Sequence, residues 1–155
     1  MSTSYEILQQ YGQKKVRDII RRGKYIDHTA GLARGFLQVN IVIIEKKFAE
    51  DFKNFCQLNP KPCPLVGITE IGSPFFPKLG KNIDIRTDVP SYNVYRNGTL
   101  VENRHDILEL WKTDMVGFAL GCSFTFEDAL SRSGIPIWHI INNKTVPMFK
   151  TNIAT

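Results

Sequence analysis

"MVGFALGCSFTFEDAL", residues 115–130, passes without a linker from an apolar run into hydroxyls and carboxylates. Its first half has the length and composition of a buried strand and its second half the pattern of a helix, so the stretch predicts a strand feeding a helix, the joint from which α/β folds are built. Thr125 and Asp128 stand at capping-box spacing, with the carboxylate where a helix dipole favours it. Gly121, Cys122, Ser123 and Glu127 are not explained by that box. They lie at a strand-to-helix junction, where crevices open and backbone N–H groups are free to meet an anion. A thiol at a helix N-terminus has its pKa lowered, so Cys122 reads either as a small packed side chain or as a nucleophile.

Outward from this joint the same alternation recurs. "KKVRDIIRRG" (14–23) sets Val16, Ile19 and Ile20 at helical spacing and closes on Gly23, suited to a left-handed C′ position. "GFLQVNIVII" (35–44) is a strand pattern, and "EKKFAEDFKNFCQLNPKPCP" (45–64) is a helix with Phe48, Ala49, Phe52, Phe55 and Cys56 on one stripe, halted at Asn59-Pro60. "LVGITEIG" (65–72) predicts another strand, and "YNVYRNGTLVEN" (92–103) a hairpin turned by Asn97-Gly98, the dipeptide that best tolerates a type I′ turn. A short helix after Asp106, a helix over 125–134 and a last strand in "IPIWHII" (135–141) complete the reading. The expected fold is α/β: one domain over residues 1–155, a mixed sheet with helices on its faces in a three-layer α/β/α core, and an inserted β-hairpin or small α+β subdomain.

With 155 residues, 43% of them hydrophobic, the chain is large enough for one proper core and unlike a disordered sequence. Its net charge of +5 would suit an anionic partner, but the densest basic cluster, Lys14, Lys15, Arg17, Arg21, Arg22 and Lys24, reads as a solvated helical stripe. A small anionic metabolite is the expected partner, without nucleic acid or membrane. Cys56, Cys63 and Cys122 form no CxxC pair, which encourages neither a disulfide framework nor a zinc site and points to a reducing compartment. The opening "MSTSYEILQQYG" has no cationic stretch leading into an apolar one, so the expectation is a chain that is not secreted, with idle sequons at Asn97 and Asn143.

In "DIRTD" (84–88), read as a strand, Asp84, Arg86 and Asp88 project from one face. That face is either a set of exposed ion pairs or a site in which the Arg86 fork grips a carboxylate while a flanking Asp receives an ammonium group, as an amino-acid zwitterion requires. "HTAGLARGFLQVN" (28–40) brings Thr29 and two glycines into a strand carrying Gln38 and Asn40 on one face, amides that serve either a structural ladder or a ligand. "NPKPCPL" (59–65) is a stiff segment able to fix Lys61 and Cys63. His105 and His139 fall in a turn and a strand, far apart and with no third ligand nearby, so no metal and no other cofactor is expected.

The segments "HTAGLARGFLQVN", "FCQLNPKPCPLV", "DIRTDVPSYNVYRNG", "GCSFTFEDAL" and "VPMFKTN", in this order and spacing, resemble the D-glutamate cyclase family, a group also described as hydro-lyases, from about Val16 onward. The resemblance implies a three-layer α/β domain with a smaller α+β insertion, and conversion of D-glutamate to 5-oxo-D-proline and water. It departs from the family at Arg34, where a proline is usual, and the family continues past "VPMFKTN", so the chain reads as an N-terminal portion with the C-terminal part of the family fold missing. A cytoplasmic or mitochondrial-matrix location fits it.

That reaction needs the amine of glutamate to attack its own γ-carboxyl carbon and an oxygen to leave as water, hence a base, an acid, an oxyanion stabiliser and a carboxylate clamp. The residues offered for these tasks are Arg86 as clamp, Asp84 or Asp88 for the amine, Glu127 for proton exchange and the backbone around Cys122 and Ser123 for the oxyanion. Covalent catalysis through Cys122 is the variant, and Thr29, Gln38, Asn40 and Lys61 are further binding candidates. The rival reading is an inactive fragment that binds an acidic metabolite or a partner protein, with a homo-oligomer left open.

Overall fold

The computed structural model describes residues 3–142 together with 144, 146, 147, 150 and 152. Two short helices, α1 (Tyr5–Leu8) and α2 (Gln13–Arg21), precede strand β1 (Val39–Glu45), helix α3 (Lys46–Leu58) and strand β2 (Leu65–Ile68). The hairpin β3 (Tyr92–Arg96) and β4 (Thr99–Arg104) follows, then β5 (Met115–Gly121), α4 (Phe124–Arg132) and α5 (Trp138–Ile141).

The fold is α/β as expected. Its central sheet has the order β1-β5-β2, and both pairings are antiparallel. β5 sits in the middle because it is the most apolar strand: Val116, Gly117, Phe118 and Ala119 are all buried. Alternation splits its side chains between two faces. On one face Phe118 meets Phe52 of α3 edge-on, with ring centroids 4.9 Å apart. On the other, Ala119 packs with Phe76 and Ile85, joined by Ile41, Ile43 and Trp111. Helix α3 thus makes one outer layer, and the segment around 76–85, without a regular helix, makes the other. A Cβ on Gly117 would run into Ile85 Cδ1 and come within 3.2 Å of Thr69 Cγ2, so this second layer lies close against the strand.

The local signals of the sequence are obeyed at several points. After α2, the Gly23 N–H bonds to Ile20 O and the Lys24 N–H to Ile19 O, with Gly23 at φ 64°, a Schellman stop. Asn97 and Gly98 have φ of 49° and 77°, as a type I′ turn requires. α2 packs through Val16 and Ile20 against Leu8, Tyr25 and Leu32 in a separate small core. On α3 only Cys56 is fully buried, while Phe48, Phe55 and Leu58 stay half or more exposed.

Four expectations are corrected. Residues 106–111 make a single turn closed by Ile107 O, not a helix. "IPIWHII" holds the short helix α5 instead of a strand, because the chain reverses at Gly134. "DIRTD" is a turn: the amides of Thr87 and Asp88 both bond to Asp84 O, so the three charges do not share a strand face. The basic stripe of α2 is not simply solvated, since Arg17 and Arg21 reach Asp88 and the carbonyls of Lys81 and Asn82. The "VPMFKTN" motif lies partly outside the described residues, as does the sequon Asn143. Among the described residues no helix is long and apolar enough to cross a membrane.

Candidate functional site

The glycine loop after residue 27 is fastened by two phenols. Tyr5 Oη donates to Ala30 O and Tyr25 Oη to His28 O, each at 2.6 Å. Burial, helped by the nearby Asp27 carboxylate, pushes the Tyr25 phenol up to about 12, so it remains a donor at neutral pH. Gly35, at φ 83°, lets the loop lie against α4: a Cβ there would come within 3.0 Å of Arg132 Nη2. The loop then runs into β1 past Gln38, whose side-chain amide donates to Leu32 O at 2.6 Å.

Across from the loop, α4 starts at Phe124 with Ser123 as its N-cap residue. The predicted capping box is not formed. Thr125 lies inside the helix, and its hydroxyl accepts the Gln38 N–H at 3.1 Å and donates to Gln38 O at 3.3 Å, tying α4 to the start of β1. Asp128 pairs with Arg132 one turn on. Ser123 does not cap either, because its hydroxyl donates to Glu127 Oε1 at 3.1 Å.

A second Schellman stop ends α4. With Gly134 at φ 76°, its N–H bonds to Ser131 O and the Ile135 N–H to Leu130 O. The chain doubles back through Pro136, and α5 returns His139 to the first turn of α4, where its Nε2 lies 3.2 Å from Glu127 Oε2. Both side chains are only 12% exposed. Ser123, Glu127 and His139 thus form a connected row in which both oxygens of Glu127 are occupied.

Glu127 and His139 line a cleft of about 910 Å³, within the range of small-molecule sites. Its walls include Thr29, Gln38, Asn40 and Glu127 from the sequence reading, together with Arg34, His139 and Lys144. Arg34 and Lys144 make no ion pair with the described residues, and the Lys144 ammonium lies 5.1 Å from the centre of the Trp138 ring. The lining therefore carries two cations that pair with none of the described residues, together with a carboxylate–imidazole pair.

The remaining candidates lie elsewhere. Arg86 turns its fork onto Asp84, with Nε 2.9 Å from Oδ1 and Nη2 2.7 Å from Oδ2. Asp88 is held by Arg21 and by the Asp84 amide at 3.0 Å. None of the three borders the cleft, and neither does Lys61, which is exposed on its proline-rich turn. Cys122 sits behind the wall, its thiol 3.4 Å from Gln38 O. Burial, with the Glu127 charge, pushes that thiol up against the pull of the Phe124 and Thr125 amides, so the lowered pKa expected of a helix start is not realised. The amides of Thr125 and Phe126 are likewise engaged by Cys122 O and Ser123 O. Among the described residues no three His, Cys, Asp or Glu side chains group as a metal site.

His139 is the functional candidate that the strand reading passed over. Gly134 followed by Pro136 is a helix stop in the sequence, and a chain reversed there returns the next residues towards the start of α4.

Comparison with known proteins bears on this same region. A family model described as D-glutamate cyclase matches residues 116–155, the stretch that runs through β5, α4 and α5. A protein of Ruegeria pomeroyi, provisionally named a hydro-lyase, is 52% identical over 155 residues, covering 100% of this chain and 56% of its own length. Similarly named proteins of Dinoroseobacter shibae and Geobacillus kaustophilus are 53% and 52% identical, over 97% and 90% of this chain and 50% and 53% of their own lengths. The chain spans about half the length of the curated relatives it matches.

Proposed function

On the premise that this chain belongs to the D-glutamate cyclase family, we propose that it acts as a hydro-lyase that closes D-glutamate to 5-oxo-D-proline with release of water. The observation that carries this reading is that one cleft is lined by Arg34 and Lys144, unpaired among the described residues, and by the Glu127–His139 pair. A glutamate zwitterion has two carboxylates and one ammonium group. Arg34 and Lys144 supply the opposite charge for the carboxylates, and Arg34 adds a fork that fixes orientation. The acidic pair supplies the place for the ammonium group and the means of taking its protons. Holding amine and γ-carboxyl within one cleft makes the attack intramolecular, which supplies much of the rate on its own.

The clamp role first offered to Arg86 passes to Arg34, because Arg86 does not line the cleft and turns its fork onto Asp84. The test is incubation of the purified chain with D-glutamate and, separately, L-glutamate, with 5-oxoproline followed by NMR. Product from D-glutamate is expected; its absence at high enzyme concentration removes the reading.

A second reading has its own support. Phe48, Phe55 and Leu58 on α3, with Val66 and Ile68 on edge strand β2, leave an apolar face open to solvent. In this reading the chain is a binding module that pairs with a second copy through that face. Light scattering that finds a dimer, together with no product from D-glutamate, would favour it.

A further inference from the structure

Glu127 was the residue offered for proton exchange, yet both of its oxygens are taken, Oε1 by the Ser123 hydroxyl and Oε2 by His139 Nε2. Those contacts occupy one acceptor site on each oxygen. The imidazole has a free end. Nε2 faces Glu127, whereas Nδ1 has no hydrogen-bond partner among the described residues and is not one of their buried unpaired atoms. A carboxylate on one ring nitrogen fixes the tautomer with its proton on that side and leaves the other nitrogen as a base.

We propose that His139 is the catalytic residue that exchanges protons with the substrate through Nδ1, and that Glu127 and Ser123 are positioning residues that hold its ring. This deepens the D-glutamate cyclase reading and rests on it.

The stoichiometry of the reaction suits one base working twice. Glutamate enters with three N–H bonds and leaves with one, and the departing oxygen gains two hydrogens. In the first half, Nδ1 takes a proton from the ammonium group, the freed lone pair forms the N–C bond at the γ-carboxyl carbon, and the C=O electron pair moves onto oxygen. Nδ1–H then returns its proton to an oxygen of the tetrahedral carbon, making a hydroxyl. In the second half, Nδ1 takes the second proton from nitrogen and passes it to that hydroxyl as its C–O bond breaks with the electron pair on oxygen. Water leaves, the carbonyl re-forms, and His139 ends in the state in which it began. No proton from solvent is needed, which fits a base that is only 12% exposed.

The test has two arms on the full chain. Long-range ¹⁵N NMR of the neutral ring, assigned with His139→Gln, is expected to find the proton on Nε2 and a bare Nδ1, with that preference lost in Glu127→Ala. Kinetically, His139→Gln is expected to lower kcat by about 10²- to 10⁴-fold with KM changed far less. Ser123→Ala should act more weakly and in the same direction, through kcat. An Nδ1–H tautomer in the wild type, or full turnover by His139→Gln, overturns the assignment to His139. A wild type with the expected tautomer that makes no 5-oxoproline overturns the function and the relay built on it, so the two failures are told apart.

Discussion

Asp88 holds the guanidinium of Arg21 across 67 residues of sequence, with both carboxylate oxygens engaged and its side chain only 4% exposed. This pair, joined by Arg17 at 3.7 Å, fastens α2 to the 84–88 turn and through it to the sheet. Removing Asp88 leaves Arg21, whose side chain is 32% exposed, in reach of water. Asp88→Asn is therefore expected to cost about 1 kcal/mol in urea unfolding. An unchanged midpoint would mean that the pair is not what joins the two cores.

Arg34 and Arg86 should behave in opposite ways. Arg34→Ala is expected to raise KM for D-glutamate by about tenfold to a hundredfold, as loss of a charge-assisted contact does, with folding intact. Arg86→Ala is expected to leave KM alone and to lower stability by about 1 kcal/mol, the usual scale for a partly exposed pair. Steady-state kinetics and thermal melts of both variants decide the matter, and a KM effect at Arg86 would restore it as the clamp.

The same Asp84–Arg86 pair makes stability depend on pH. Burial by itself would raise the Asp84 carboxyl, but the hydrogen bonds and charge of Arg86, with Arg21 further off, hold it below its ordinary 3.8. A group depressed in the folded state stabilises fully above its unfolded value and loses that contribution as pH falls through the folded one. The expected outcome is stability from this pair that is flat above about pH 5 and declines below about pH 4. Asp84→Asn should flatten that acid limb in denaturant titrations taken at successive pH values.

Cys122 should be dispensable for chemistry. Its thiol is held in the protonated form by burial and donates to Gln38 O, and the hydroxyl of Cys122→Ser can make that same bond. Turnover within about threefold of the wild type, and slow alkylation of the native thiol at neutral pH, are expected. Loss of activity with folding intact would bring covalent catalysis back.

Gly117 is a packing requirement. Gly117→Ala forces a methyl group into Ile85 and Thr69, both of them buried, and is expected to destabilise by about 1–3 kcal/mol. A pair with Ile85→Val should recover part of the loss by opening room at that contact.

What could be read from the sequence were the features with a local cause. Gly23, Asn97-Gly98 and the strands β1, β2 and β5 follow from backbone freedom and side-chain period, and they stand where expected. Glu127, Gln38, Asn40 and Thr29 reached the cleft because a strand-to-helix joint and a glycine loop place their residues at a sheet end. Misread were the residues whose roles depend on distant partners. Arg86 looked free because nothing in "DIRTD" says that the segment folds into a turn that brings Asp84 onto its fork. Thr125 looked like a cap because its true partner, Gln38, is 87 residues away. His139 was lost to a wrong period: in a strand it would stand alone, and only the reversal at Gly134 brings it to Glu127.

The central place of β5 between β1 and β2 also sets a timetable. The two flanking strands are synthesised first, and neither finds its ladder until residues 115–121 have emerged from the ribosome and slid between them. Until then their backbone N–H and C=O groups and apolar side chains are open to other nascent chains. Newly made protein is therefore most vulnerable to clumping between the synthesis of β2 and that of β5, and chaperone supply during that interval should govern yield more than the stability of the finished fold does.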